Sequence, residues 1–177
     1  MSLTEMDDVE LMLAYQSGRH EAFDALYERH KGGLYRYFLR QGMPRDSANE
    51  LFQDVWMKLI HARQHYQAGT SFSSYLYSIA HNRLVDYYRR QQPQTELDPE
   101  LADGDGLSPE SSLQQQQQLQ RLQHSIARLP EEQRSALLLQ KEAGLSLEQI
   151  ATVTGASRET VKSRLRYAMN RLKQVLS

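Results

Sequence analysis

Between Pro93 and Ser112 the chain carries six acids, Glu96, Asp98, Glu100, Asp103, Asp105 and Glu110, with no Lys or Arg and no sustained apolar period. Such a stretch cannot bury enough apolar surface to offset the entropy of ordering it. It therefore divides the chain, and limits it to two small units: residues 1–92, a tether at 93–112, and residues 113–177. A large multidomain enzyme is excluded. Because small units bury a smaller fraction of their surface, partners are expected to contribute to their stability. The overall charge of -1 hides a segregation, since Ser157–Ser177 holds Arg158, Lys162, Arg164, Arg166, Arg171 and Lys173 against the single acid Glu159. A basic helix at one end and an acidic tether in the middle point towards a polyanionic partner.

Both units read with helical period and contain no convincing alternating strand, so the fold class expected is all-α, two small helical domains joined by a flexible acidic linker. A first helix starting at Thr4, with Asp7 at capping-box spacing, puts Met6, Val9 and Leu13 on one face before Gly18. A second, from about His20, repeats Phe23, Leu26/Tyr27, His30, Leu34 and Tyr37/Phe38 and stops at Gly42, with a kink expected at Gly32-Gly33. Pro44 and Asp46 open a third, whose apolar stripe is Ala48, Leu51, Phe52, Val55, Leu59 and Ala62. It leaves Glu50, Gln53, Asp54, Lys58 and His61 outside. The fourth runs from about Ser71 to Gln91, with Phe72, Tyr75, Leu76, Ile79 and Leu84 as core candidates. The run Gln114–Gln118 opens the first helix of the second unit.

The most specific signal lies near the C-terminus. Pro130–Ala143 reads as a helix ended by Gly144, and Ser146 with Gln149 caps a short helix over Leu147–Val153. Thr154-Gly155-Ala156 turns the chain, and Ser157 caps a long helix with the apolar stripe Val161, Leu165, Ala168, Leu172 and Val175. This is a helix-turn-helix. The opposite stripe, Arg158, Lys162 and Arg166, is interleaved with Ser157, Thr160 and Ser163. In this motif the second helix enters the major groove by its N-terminal end, where Arg donates in bidentate fashion to guanine and hydroxyls reach phosphates or bases.

The fourth helix carries a second constellation, in which Tyr75, Tyr77, Tyr87 and Tyr88 interleave with Asn82, Arg83, Asp86, Arg89 and Arg90. Ten of the 15 aromatic residues are Tyr, a ring with a wettable end suited to an intermittently exposed surface. Unpaired bases stack on such rings while Arg tracks phosphates and Asn bonds base edges. Spacing alone leaves ordinary packing equally open. His61 and His65 stand at i, i+4, but no third ligand accompanies them, so no metal is expected. The absence of cysteine removes thiol nucleophiles and Cys-ligated metal. No phosphate-cradling loop or nucleophile elbow occurs, so neither cofactor nor catalysis is expected. The polar, acidic N-terminus and the lack of a long apolar run lead us to expect a cytoplasmic protein with no membrane span of its own.

Two strings resemble the bacterial RNA polymerase sigma factors of the extracytoplasmic-function group: Asp46-Ser47-Ala48-Asn49-Glu50-Leu51-Phe52-Gln53-Asp54-Val55-Trp56, and Phe72 to Asp86 with Ser73-Ser74-Tyr75-Leu76-Tyr77 and His81-Asn82-Arg83. In the second unit Leu129-Pro130-Glu131-Glu132-Gln133-Arg134 and Ser157 to Leu165 are similar to the family's −35-reading region. The resemblance implies that Glu50, Gln53, Asp54 and Lys58 dock on the beta-prime clamp helices of core RNA polymerase, with the beta flap as a further contact. It implies that the loop from Arg63 to Ser71, together with Tyr75, Asn82, Arg83, Asp86, Tyr87 and Arg90, captures the nontemplate strand of a melted −10 element. Promoter DNA and an anti-sigma factor are the other implied partners. Read from the residues alone, a helix-turn-helix regulator that leaves the resident sigma in place is the competing reading. An RNA-binding antiterminator is a weaker third.

Overall fold

The computed structural model describes residues 2–91 and 112–176, so the acidic tract expected to form the tether lies outside the described residues up to Ser111. Eight α-helices are present among the described residues, and no strand. They are α1 (Asp8–Gln16), α2 (Glu21–Leu39), α3 (Arg45–His61), α4 (Phe72–Gln91), α5 (Leu113–Ala127), α6 (Glu131–Lys141), α7 (Leu147–Thr154) and α8 (Arg158–Leu176). In the first unit α1 packs on α2, α2 on α3, and α3 on α4. In the second, α8 is the spine against which α5, α6 and α7 lie.

Local chemistry sets most of the helix starts. Asp7 caps α1 by accepting from the Glu10 amide at 2.8 Å while Glu10 reaches back to the Asp7 amide, a capping box that makes Asp7, not Thr4, the cap. Met6 and Val9 are half-buried and Leu13 is exposed; the face that α1 buries is Leu11, Met12 and Tyr15. The expected stripe is thus rotated, because the wall formed by α2 and the turn at Arg63–His65 decides which side is dry. Ser112 with Gln115 and Ser146 with Gln149 complete the same box for α5 and α7.

Phe23, Tyr27, Phe52 and Trp56 form an aromatic cluster between α2 and α3, with Trp56 tilted against Tyr27 at 5.1 Å and edge-on to Phe23 at 5.8 Å. Burial of a side chain of this size contributes about 1.5–3 kcal/mol. Trp56 belongs to the core stripe alongside Ala48, Leu51, Val55 and Leu59, whereas Ala62 and Phe52 are only half-buried. Despite Gly32-Gly33, α2 is one helix from Glu21 to Leu39. In α8 the stripe Val161, Leu165, Ala168 and Leu172 is buried as expected, but Val175 is 55% exposed, at the edge of an open groove that it shares with Arg121, His124 and Arg128 of the α5 side.

The two units touch. α4 packs on α7, and polar side chains of α4, of α2 and of Gln41 just past it meet both ends of α6. Glu142, just past α6, accepts from Arg36 Nε at 2.8 Å and from Arg40. Gly33 lets this approach happen: a Cβ there would stand 2.9 Å from the Glu142 carbonyl oxygen and 3.1 Å from the Tyr77 hydroxyl. The glycine pair marks a close contact rather than a kink.

Candidate nucleic-acid and polymerase interfaces

The helix-turn-helix is built by its caps. Gly155 ends α7 with φ of 69°, a left-handed conformation that side chains with a Cβ rarely adopt. Ser157 Oγ then accepts from the Thr160 amide at 3.1 Å and donates to Thr160 Oγ1 at 2.9 Å. Both hydroxyls are exposed, so they can exchange these bonds for an external acceptor. With the apolar stripe turned inward, Arg158, Lys162 and Arg166 project into solvent and Ser163 is half-buried. The Arg158 guanidinium donates to Glu148 at 2.8 Å from Nε. Glu148 is held below the usual carboxylate range by its own backbone amide and then by Arg158. The Arg166 guanidinium sits 5.3 Å from the Tyr167 ring centre, whose face is exposed. One helix face thus presents three cations ahead of any ligand.

On the first unit the structure brings Asn82, Arg83, Asp86 and Arg90 of α4 into one depression with Asp54, Lys58 and His61 of α3. Arg83 donates from Nε and Nη2 to Asp54 Oδ2 at 3.0 and 2.7 Å. This pair joins a residue expected to contact DNA with one expected to contact polymerase, and it leaves Asp54 half-buried where Glu50, Gln53 and Lys58 are exposed. Arg63, Tyr75 and Tyr87 lie outside that depression. Arg63 belongs to a 3-10 turn, donates to the Ile60 carbonyl at 2.7 Å, and lies 5.6 Å from the Tyr15 ring centre. The following loop is stapled to α1, for Gln16 Nε2 donates to the carbonyls of Arg63 and Tyr66 at 2.8 and 2.7 Å. Tyr75 packs edge-on against buried Tyr66 at 5.0 Å, and burial raises the pKa of both phenols. Tyr87 is half-buried, edge-on to Tyr88, with its hydroxyl 3.4 Å from Ser47 Oγ. His61 ends α3 while His65 belongs to the separate turn, so the two do not share a helix face. Among the described residues no three His, Cys, Asp or Glu side chains are grouped to hold a metal.

Sequence reasoning missed two groups. Tyr27, Lys31, Tyr35 and Phe52 line a second depression beside Gln53, between α2 and α3. The other is a buried cation, Arg134, 7% exposed. Its guanidinium donates to Gln41 Oε1 from Nε and to the Tyr88 hydroxyl from Nη2, each at 2.7 Å. Tyr88 donates in turn to Gln41 Oε1 at 3.0 Å, and desolvation pushes the Tyr88 phenol up to about 12.

Known proteins share these elements. The Sigma-70 region 2 family model matches residues 26–94 and the Sigma-70, region 4 model residues 119–172. The ECF RNA polymerase sigma factor RpoE of Cereibacter sphaeroides is 32% identical over 177 residues, covering 97% of this chain and 96% of its own. The chain belongs to the extracytoplasmic-function (ECF) sigma factor family. RNA polymerase sigma-H factor of Pseudomonas aeruginosa is 29% identical, covering 92% of this sigma factor and 90% of its own length. Among solved structures, CnrH in complex with the cytosolic domain of CnrY has a TM-score of 0.74 at 23% identity, covering 96% of each chain. RpoE of Bartonella quintana, in complex with the anti-sigma factor NepR, has a TM-score of 0.73 at 23% identity over 87% of this chain and 96% of its own. These likenesses show a shared fold. As a sigma factor the protein serves promoter-directed transcription initiation with RNA polymerase. Among the described residues no helix is long and apolar enough to cross a membrane.

Proposed function

We propose that this sigma factor binds core RNA polymerase through the exposed face of α3, reads a −35 element as duplex through α8, and holds the nontemplate strand of a melted −10 element along α4 and the loop that precedes it. The observation that carries the reading is the cationic stripe Arg158, Lys162 and Arg166 at the N-terminal half of a recognition helix whose other face is buried. A helix end with this charge fits the major groove, where Arg pairs with guanine O6 and N7. The grouping of Asn82, Arg83, Asp86 and Arg90 beside Lys58 supports the second site, since it sets an amide and two guanidinium groups where a backbone and its bases could lie. Residues 1–92 serve the polymerase and the −10 element, 113–177 serve the −35 element, and the acidic tract 93–112 connects them. An anti-sigma factor of the kind seen with the Bartonella quintana RpoE is a fitting partner for such a chain. No step of this role needs a reaction at the protein, and none is assigned.

Run-off transcription with purified core polymerase tests the reading. The full chain should direct initiation from a two-element promoter without any other sigma factor. Transcription only when a resident sigma is added would replace this reading with that of a helix-turn-helix regulator.

A further inference from the structure

Gln16 ends α1, a helix that the function just proposed leaves without a task. Its side-chain amide donates from Nε2 to two backbone carbonyls of the loop between α3 and α4, that of Arg63 at 2.8 Å and that of Tyr66 at 2.7 Å. A primary amide has two hydrogens on its nitrogen, so both are used and none remains for DNA. Gln64 answers from the loop, donating from Nε2 to the Gln16 carbonyl at 3.1 Å. Tyr15, the preceding residue, is buried, and the Arg63 guanidinium lies 5.6 Å from its ring centre. α1 is itself anchored, since Asp8 in its first turn accepts from Arg29 Nη1 at 3.1 Å and from His30 Nε2 at 2.8 Å, both on α2.

The clamp grips the root of the loop and leaves its tip free. Tyr66, 4% exposed, donates from its hydroxyl to the Thr70 carbonyl at 2.6 Å, and the Thr70 amide donates to the Gln67 carbonyl at 3.1 Å. Gln67, Ala68, Gly69 and Thr70 thus form a closed turn in which all four residues are exposed. None of the four carries a charge. The turn therefore offers an amide, a hydroxyl and backbone groups to a base, and no cation to a phosphate. The cations stand apart on α4, where Arg83 and Arg90 suit the backbone of any sequence. A loop held by its own turn bonds alone would sample many shapes, and binding would carry the cost of ordering it.

We infer that Gln16 is a positioning residue for the −10 element: it fixes the loop from Arg63 to Thr70 in the shape whose exposed tip receives an unpaired base, and so sets sequence preference without touching DNA. This role rests on the reading that the loop and α4 hold the nontemplate strand. The tip adds affinity only for the base it fits, while α4 serves every sequence through its phosphates. Loosening the loop therefore lowers output from the preferred −10 sequence and leaves the background in place.

Run-off transcription by the full chain with core polymerase, from a promoter library randomised over both elements, measures the preference at each. Gln16→Met keeps the length of the side chain and removes both donors. Loss of two neutral hydrogen bonds should flatten the −10 preference about tenfold, with the −35 preference and the affinity for core polymerase unchanged. Gln16→Glu, which sets a carboxylate against two carbonyls, should flatten it at least as far. In the free chain, hydrogen exchange should quicken in both variants at the loop amides of His65, Tyr66 and Thr70, which donate within the loop and to Ala62 before it. Unchanged exchange would overturn the clamp. Quicker exchange with the −10 preference intact, or a loss that lowers both preferences alike, would overturn the positioning role. Gln67→Ala with Thr70→Ala, in the tip, separates this role from the reading beneath it. A −10 preference lost in the tip variant but kept in Gln16→Met overturns the part of Gln16 alone. A preference absent from the unmutated chain, or untouched by the tip variant, overturns the assignment of the loop to the −10 strand and the part of Gln16 with it.

Discussion

Substituting Ala at the two adjacent glycines of α2 should give opposite results. Neither Gly32 nor Gly33 has a positive φ, so Ala is compatible with the helix at both and contributes roughly 1 kcal/mol in helix propensity. At Gly32 the new Cβ would meet Arg36 Nη1 at 3.0 Å, the far end of a flexible side chain that can swing away. Gly32→Ala should therefore raise the melting temperature of the full chain by about 2–4 °C. At Gly33 the contacts are the Glu142 backbone carbonyl at 2.9 Å and the Tyr77 hydroxyl at 3.1 Å. Relieving them requires α2 and the end of α6 to separate by roughly half an ångström, an overpacking of the sort that costs about 1–3 kcal/mol. The propensity gain is cancelled or exceeded, and the molecule can escape the clash only by loosening the interface. Differential scanning fluorimetry measures the difference: Gly33→Ala should show no rise in melting temperature. Equal stabilisation by the two substitutions would refute the argument that Gly33 exists for the close approach.

Arg158→Ala and Arg166→Ala should each weaken discrimination at the −35 element by about 1–3 kcal/mol while core-polymerase binding survives; a loss that is uniform over sequences in a binding titration would reassign them to phosphate contact. Asp54→Lys should abolish competition with another sigma factor for core polymerase, because it reverses an interface charge and sets a second cation against Arg83; unchanged competition would move the interface off α3. Burial, reinforced by Arg164 from the second unit, holds the His81 imidazole below its ordinary value of 6.5, and its Nδ1 faces the Tyr37 hydroxyl at 3.4 Å. The unfolded chain takes up the proton first as pH falls through 6.5, so this contribution to stability is full above that value and weakens below it; the melting temperature should fall as the pH drops below about 6.5, and His81→Gln should flatten the change. Deleting Glu96 to Asp105 shortens the tether contour from roughly 65 Å to about 33 Å and should abolish run-off from a two-element promoter; full activity would contradict simultaneous engagement of both elements.

What could be read from the sequence was local. Ser112 with Gln115, Ser146 with Gln149, and Gly155 each act within four residues, so their roles follow from spacing and backbone chemistry. The stripe from Val161 to Leu172 is long enough for its period to fix the buried face. The faces of shorter or crowded helices were less legible: α1 buries Leu11, Met12 and Tyr15 rather than Leu13 because its neighbours supply the wall. Trp56 joins the core only because Phe23 and Tyr27 stand opposite it. Asp54 was legible as a polar residue on a polar face, but its pairing with Arg83 depends on how α3 crosses α4. Arg134, Gln41 and Glu142 were invisible, since polar groups separated by some 90 or more positions leave no periodic trace.

If α8 reads the promoter as proposed, the pairing of Arg158 with Glu148 bears on how it passes over the wrong DNA. The guanidinium already has an acceptor before it meets a duplex, so an encounter that offers only a diffuse phosphate field exchanges one anion for another and changes little. A guanine edge offers two acceptors in the plane of the guanidinium, and there the exchange is favourable. On that reading Glu148 is an internal competitor that subtracts from every encounter equally, and the subtraction matters most where the DNA offers least.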